Sequence, residues 1–225
     1  MTCPASFAEP HTADIASRLG EIDARIRSVG RTRDEIRLVA VTKTFPGSVL
    51  DPLRALGLFD VGENYTQELL DKVSKDEGAP ALRWHFLGQL QSNKIAKLCR
   101  SASVLETVSR ISELEFIARQ ERQPEIYVQI DFTGQENRGG ASLGGLEALL
   151  RRAELLEVTV SGLMTVAPPD PLRAREAFSE LRRAASTWNL PELSMGMSDD
   201  LEIALEEGST AIRVGRALLG SRPQA

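Results

Sequence analysis

Eight times along this chain, a short apolar segment with strand-like alternation is followed by a stretch with helical spacing. Such regular alternation points to parallel strands, because each helix carries the chain back to the end where the next strand starts. The strands are expected at Arg37–Lys43, Phe59–Asn64, Arg83–Gly88, Ser103–Val108, Glu125–Phe132, Leu156–Val166, Leu193–Met197 and Thr210–Gly215. One further amphipathic helix precedes them over Thr12–Val29, where Ile15, Leu19, Ile22 and Ile26 recur at helical spacing. Eight strand–helix units in about 200 residues fit a compact (β/α)8 barrel. The expectation is therefore a single TIM-barrel domain over residues 1–225 with an extra N-terminal helix. A doubly wound open sheet is the competing architecture. Its dinucleotide-binding form lacks support, since no Gly-x-Gly-x-x-Gly follows the first strand.

Charge and composition narrow the function. With 27 Lys+Arg against 32 Asp+Glu the net charge is −5, a poor match to nucleic acid or an anionic membrane surface. No run of about 18 apolar residues is available to span a bilayer. The first residues, MTCPASFAEPHTADIASRLGEID, have neither a basic start nor an apolar h-region, so no signal peptide is expected. Two cysteines, Cys3 and Cys99, and two histidines, His11 and His85, make neither a disulfide framework nor a zinc site. A cytoplasmic location follows as the expectation.

In barrels of this kind the active site lies where strands end and βα loops begin. At the first strand end, Val39, Val41 and Lys43 share one face. A lysine held there and partly desolvated has a lowered pKa and suits Schiff-base formation. The alternative is a strand-terminal lysine whose stem is buried and whose amine reaches water. At the last two strand ends, Gly196 and Ser198 lie in MGMSDD, and Gly215 precedes a short final helix in RVGRALLG. Barrels often bind phosphate there. Ser198 also reads as an N-cap with acidic residues after it, and simple capping accounts equally well for the pattern. The acidic pair Asp199 and Asp200 opposes an anion unless both side chains point away. Arg213 lies inside the last strand on the face shared with Ala211. It calls for a ligand or a buried partner such as Glu63. His85, Asn64 and Asp131 each have a bland reading as packed, strand-ending or loop-capping residues.

Taken together, VAVTKTFP, GENYTQEL, WHFLGQLQSNK, GLMTVAP and LSMGMSDDLEIALEEGSTAIRVGRALLG resemble the pyridoxal 5′-phosphate homeostasis proteins, the YggS/PROSC family. The resemblance runs from Ile36 to Gly220 in the same order. It implies an alanine-racemase-like barrel without the second β domain of true alanine racemases. It also implies pyridoxal 5′-phosphate as cofactor, with Lys43 as the lysine that forms the internal aldimine. By the same carry-over, Asn64 lies beside the cofactor ring and Ser198 contacts the phosphate. Gly215 and Arg216 offer backbone amides to it, and Arg213 faces the pyridine nitrogen. His85 and Met164 fall at positions lining the pocket. Two residues depart from the family pattern: Arg138 stands where a lysine is usual, and Arg216 where many members have a small residue.

The function implied is reversible cofactor holding in vitamin B6 homeostasis, without robust catalysis. An arginine at the pyridine nitrogen disfavours its protonation, and an unprotonated ring is a poor electron sink. The partners implied are the cofactor and pyridoxal-phosphate-dependent client enzymes, and the oligomeric expectation is a monomer. An amino-acid racemase is the alternative, but it needs acid–base groups on both faces of the substrate carbon. A Schiff-base aldolase is a third reading and would have no use for Arg213.

Overall fold

The computed structural model describes residues 10–135 and 139–221, and Cys3 and Arg138 lie outside that range. Eight parallel strands close into a barrel in sequence order. They are β1 (Arg37–Val41), β2 (Asp60–Glu63), β3 (Arg83–Phe86), β4 (Val104–Val108), β5 (Glu125–Ile130), β6 (Val160–Thr165), β7 (Glu192–Ser194) and β8 (Ala211–Val214). Helix α1 (Thr12–Ser28) precedes β1. The remaining helices follow the strands in turn: α2 (Leu50–Ala55), α3 (Thr66–Lys75), α4 (Ile95–Ser101), α5 (Ile111–Ala118), α6 (Leu146–Leu155), α7 (Pro171–Thr187), α8 (Leu201–Glu206) and α9 (Arg216–Leu219). Closure is made by β1 on β8, where Val39 lies opposite Arg213.

Strand alternation divides the side chains into two environments. Leu38, Ala40, Val61, Trp84, Phe86, Ile126, Val128, Leu163, Ile212 and Val214 point outward into the core shared with the helices. Burying each large aliphatic side chain there contributes about 1.5–3 kcal/mol. Helix α1 joins that core through Ile15, Ile22 and Ile26 and packs on α2, α8 and α9. Arg25 of α1 pairs with Glu202 of α8. Sequence-local signals set the helix starts. Asp170 accepts the Arg173 N–H ahead of Pro171 in α7, and Glu113 accepts the Ser109 and Arg110 N–H groups at the start of α5.

The barrel interior is largely polar. Val104, Tyr127 and Met164 form a small apolar cluster inside it, separate from the outer core. Most of the inward polar side chains are paired, as burial of polar atoms demands, although the Arg83 Nε has no hydrogen-bond partner among the described residues. At the N-terminal end the first residues of β1, β2, β3, β5 and β7 form a ring of charge. Arg37 bonds Glu192 at 3.0 Å and the Tyr127 hydroxyl at 2.9 Å, Asp60 lies 3.6 Å from both Arg37 and Arg83, and Arg83 pairs with Glu125.

The strands are shorter than the sequence pattern predicts. The first ends at Val41, so Thr42 and Lys43 lie just beyond it. The sixth begins at Val160 rather than Leu156, because the chain turns at Glu157, whose φ is 56°. Alternation in LEVTV marks which side chains would share a face, not where the hydrogen-bonded ladder stops.

Candidate functional site

A cavity of about 340 Å³ opens at the C-terminal ends of the strands, within the range of small-molecule pockets. It is lined by Lys43 after β1, Asn64 after β2, Met164 in β6, Ser198 before α8, Arg213 in β8, and Gly215 and Arg216 at the start of α9. Seven of the eight residues expected at the site thus surround one space. A larger cavity of about 550 Å³ lies outside the barrel between α2 and α3. Its Arg54 is engaged by Asp51, Asp76 and the Pro80 carbonyl. The strand-end cavity gathers the Lys43 amine, the buried Arg213 and the start of α9 at the rim where barrel active sites lie.

The eighth residue, His85, is not at the cavity wall. It is fully buried one layer below, with Nδ1 2.6 Å from Glu106 and Nε2 2.9 Å from Asp60. Two residues along a strand are about 6.6 Å, so Leu87, not His85, reaches the cavity from this strand. The two carboxylates raise the His85 pKa against the opposing effect of burial, the largest single influence. Glu106 is held low despite burial, through His85, the Arg213 charge and Ser194.

Arg213 is 5% exposed. Its Nη1 donates to the Ser194 carbonyl at 2.7 Å and hydroxyl at 2.8 Å, and Nη2 donates to the Thr165 carbonyl at 2.7 Å. The Ser194 hydroxyl in turn donates to Glu106 at 2.5 Å. A continuous polar chain therefore runs from Arg213 through Ser194, Glu106 and His85 to Asp60 and the charge ring. Burial lowers the Arg213 pKa, with Glu106 and Asp200 acting against it. The buried partner expected in Glu63 is corrected: Glu63 instead pairs with Lys72 of α3 and accepts from the Thr42 hydroxyl at 2.6 Å. Burial, set against Lys72, raises Glu63 to about 7.

The turn after β7 also differs from expectation. Ser198 does not cap α8, because Asp200 occupies the N-cap position and accepts the Met197 N–H at 2.5 Å. Ser198 is left at the cavity wall. Asp199 stands with its side chain 91% exposed, 4.0 Å from the Arg216 guanidinium. Asp199 is thus turned to solvent, while Asp200 is engaged by the Met197 N–H. Helix α9 starts at Gly215, which offers no side-chain acceptor to the first-turn N–H groups. Gly196 makes the turn possible: its φ is +97°, and a Cβ there would lie 2.5 Å from the Ala204 Cβ. Gly88 performs a similar service for Asn64, whose carbonyl oxygen would be 1.9 Å from an added Cβ. Asp131 takes the structural role, accepting from Thr133 and Gly134 in its own loop.

The sequence reading missed Leu87, Val166 and Met197 on the cavity wall and Glu106 beneath it. Glu106 had a legible signal, a carboxylate in the otherwise apolar strand VLETV. Among the described residues no cluster of three or more His, Cys, Asp or Glu side chains is placed to hold a metal ion.

A curated relative from Pseudomonas aeruginosa, a pyridoxal phosphate homeostasis protein, is 35% identical over 221 residues, covering 92% of this chain and 96% of the relative. The chain belongs to the pyridoxal phosphate homeostasis protein family. A member from Deinococcus radiodurans is 38% identical over 198 residues, covering 84% of this chain and 91% of its own. No protein-family model matches the chain. Among solved structures, PipY of Synechococcus elongatus with PLP bound superposes with a TM-score of 0.81 at 32% identity, over 92% of this chain and all of that one. Alanine racemase from Clostridium difficile shares the fold, with a TM-score of 0.74 at 13% identity, but this chain covers only 61% of it.

The donor set suits the cofactor these family members are named for. A primary amine matches an aldehyde, an arginine matches an acceptor nitrogen, and the helix start with Ser198 matches a phosphate.

Proposed function

We propose that this chain binds pyridoxal 5′-phosphate in the strand-end cavity through Lys43 and serves pyridoxal phosphate homeostasis without being a robust catalyst. The observation that carries the reading is the convergence of Lys43, Arg213 and the start of α9 on one cavity. Bound there, the cofactor supplies an aldehyde that reacts reversibly with a primary amine. Lys43 would hold that aldehyde carbon, Asn64 and Met164 would flank the ring, and Ser198 with the Gly215 and Arg216 amides would hold the phosphate. Arg213 would donate to the pyridine nitrogen. The guanidinium, fixed on two carbonyls, disfavours a second positive charge beside it, and this keeps the ring a weak electron sink.

A racemase needs a second acid–base group across from the lysine. Among the described residues, the cavity wall offers Asp199 as its only carboxylate, and that side chain points to solvent. The homeostasis reading is favoured on that ground. The same reading includes cytoplasmic residence, a monomer whose closed barrel leaves no sheet edge to pair, and supply of cofactor to client enzymes.

Absorbance titration with pyridoxal 5′-phosphate tests the proposal. The purified protein is expected to develop the visible band of a lysine-linked cofactor, and Lys43→Ala to lose it. A band that persists in Lys43→Ala, or no binding by the unaltered chain, overturns the assignment.

A further inference from the structure

We propose that α3 is a positioning element for Lys43: Glu68 and Lys72, one helical turn apart, hold the peptide groups on either side of the lysine and thereby set the strength of its bond to an aldehyde. The inference rests on the reading of Lys43 given above. Lys43 lies beyond the last residue of β1, between a ladder bond from the Thr42 N–H to the Gly62 carbonyl and a turn closed by the Phe45 N–H on the Thr42 carbonyl. Two side chains of α3 add to these backbone bonds. The Lys72 amine donates to the Thr42 carbonyl at 2.8 Å, and the Glu68 carboxylate accepts the Thr44 N–H at 3.0 Å. Residues i and i+4 share a helix face, so one face of α3 grips both neighbours of Lys43.

The grip is bound to the second site loop as well. Lys72 also pairs with Glu63, the residue before Asn64, and the Thr42 hydroxyl donates to the same carboxylate oxygen. The Glu63 carbonyl accepts the Leu87 N–H at 2.7 Å, which ties in the third strand end. Lys72 is 8% exposed and Glu63 is fully buried, so this contact is screened little by solvent. Thr44 shows that the loop is held and not merely resting. Its φ is 69°, a left-handed conformation that a β-branched residue adopts only when its surroundings impose it. The Thr42–Phe45 turn, closed by the Phe45 N–H on the Thr42 carbonyl, sets that conformation, and the Glu68 carboxylate accepts the Thr44 N–H within it.

The functional consequence is pre-organisation. An amine on a loose loop must be ordered before it can bond a carbon held elsewhere in the site, and the ordering cost appears as lost affinity. A clamp that has already fixed residues 42 and 44 removes that cost. It acts only on a ligand that bonds to Lys43. A ligand of the same shape without an aldehyde gains nothing from it.

The test compares pyridoxal 5′-phosphate with pyridoxine 5′-phosphate, which carries an alcohol in place of the aldehyde. Binding of both is measured for the unaltered chain, Glu68→Ala, Glu68→Gln and the double variant Lys72→Met with Glu63→Gln. The double variant removes the amine without leaving a lone buried carboxylate. Glu68→Ala is expected to bind pyridoxal phosphate about tenfold more weakly, as for one lost charge-assisted hydrogen bond, with its binding of pyridoxine phosphate unchanged. The double variant, which also loosens the Asn64 loop, is expected to weaken pyridoxal phosphate about tenfold more than it weakens pyridoxine phosphate. Glu68→Gln keeps an acceptor oxygen for the Thr44 amide and is expected to recover most of the loss. Equal weakening for both ligands, or none for either, overturns the proposal by leaving α3 a merely structural role or none. An unaltered chain that shows no preference for the aldehyde refutes the Lys43 reading itself, whatever the variants do.

Discussion

Replacing Arg213 with Met tests whether the polar chain through the barrel is an energetic unit. Methionine keeps most of the volume but removes the charge and the three hydrogen bonds to Ser194 and Thr165. It also removes a cation that holds Glu106 low. Summing three charge-assisted hydrogen bonds at about 1.5–3 kcal/mol each overstates the loss, because the bonds share one side chain. The better guide is the loss of one partner from a buried charged network, about 3–5 kcal/mol. A domain with about 5–15 kcal/mol of stability survives that change but is weakened. In urea, with m near 2–3 kcal/mol/M, the unfolding midpoint falls by about 1–2.5 M. Adding Glu106→Gln removes the carboxylate that has lost one of its two cationic partners, and the double variant is expected to fall short of the sum of the single losses by about 1–2 kcal/mol. A midpoint shift under about 0.3 M for Arg213→Met, or simple additivity with Glu106→Gln, refutes the reasoning and makes Arg213 energetically independent of the barrel interior.

Two further outcomes follow from the same geometry. His85, with a pKa raised by Asp60 and Glu106, contributes stability that is fully present below the unfolded histidine value near 6.5 and is lost as pH rises through the folded value. An imidazole ¹⁵N NMR titration is expected to place the His85 midpoint above that of an unperturbed histidine, and a midpoint below it contradicts the carboxylate sandwich. Purified protein supplied with pyridoxal phosphate is expected to leave L-alanine essentially unracemised, as followed by chiral chromatography. Turnover at about 1 per second or faster restores the racemase reading.

The barrel was legible because each strand and helix carries its own local signal, and eight of each in strict order leave little choice of topology. The strand ends were less legible. Alternation in RLVAVTK continues through Lys43, although the strand stops at Val41 and Lys43 lies in a turn that α3 helps to hold. His85 shows a second limit. Strand periodicity gives the face a side chain occupies but not its depth, and His85 lies one layer too low to reach the cavity. The pairings of Arg213 with Ser194 and of Glu63 with Lys72 join residues 19 and 9 positions apart through barrel closure and helix packing, which composition and spacing do not encode. The charge ring was partly legible: Arg37, Arg83 and Glu125 open strands in the sequence pattern too, whereas Asp60 and Glu192 fall one residue away from the expected strand starts. Its meaning depends on those strands ending at one rim.

Borohydride reduction of the protein loaded with pyridoxal 5′-phosphate, followed by peptide mass mapping, tests the central claim most directly. Reduction converts a lysine-linked cofactor into a stable pyridoxyl amine and so records which amine held it. The account predicts one dominant pyridoxyl adduct, on Lys43, in the peptide spanning the end of β1. An adduct on another lysine with Lys43 unmodified, or no adduct at saturating cofactor, contradicts it.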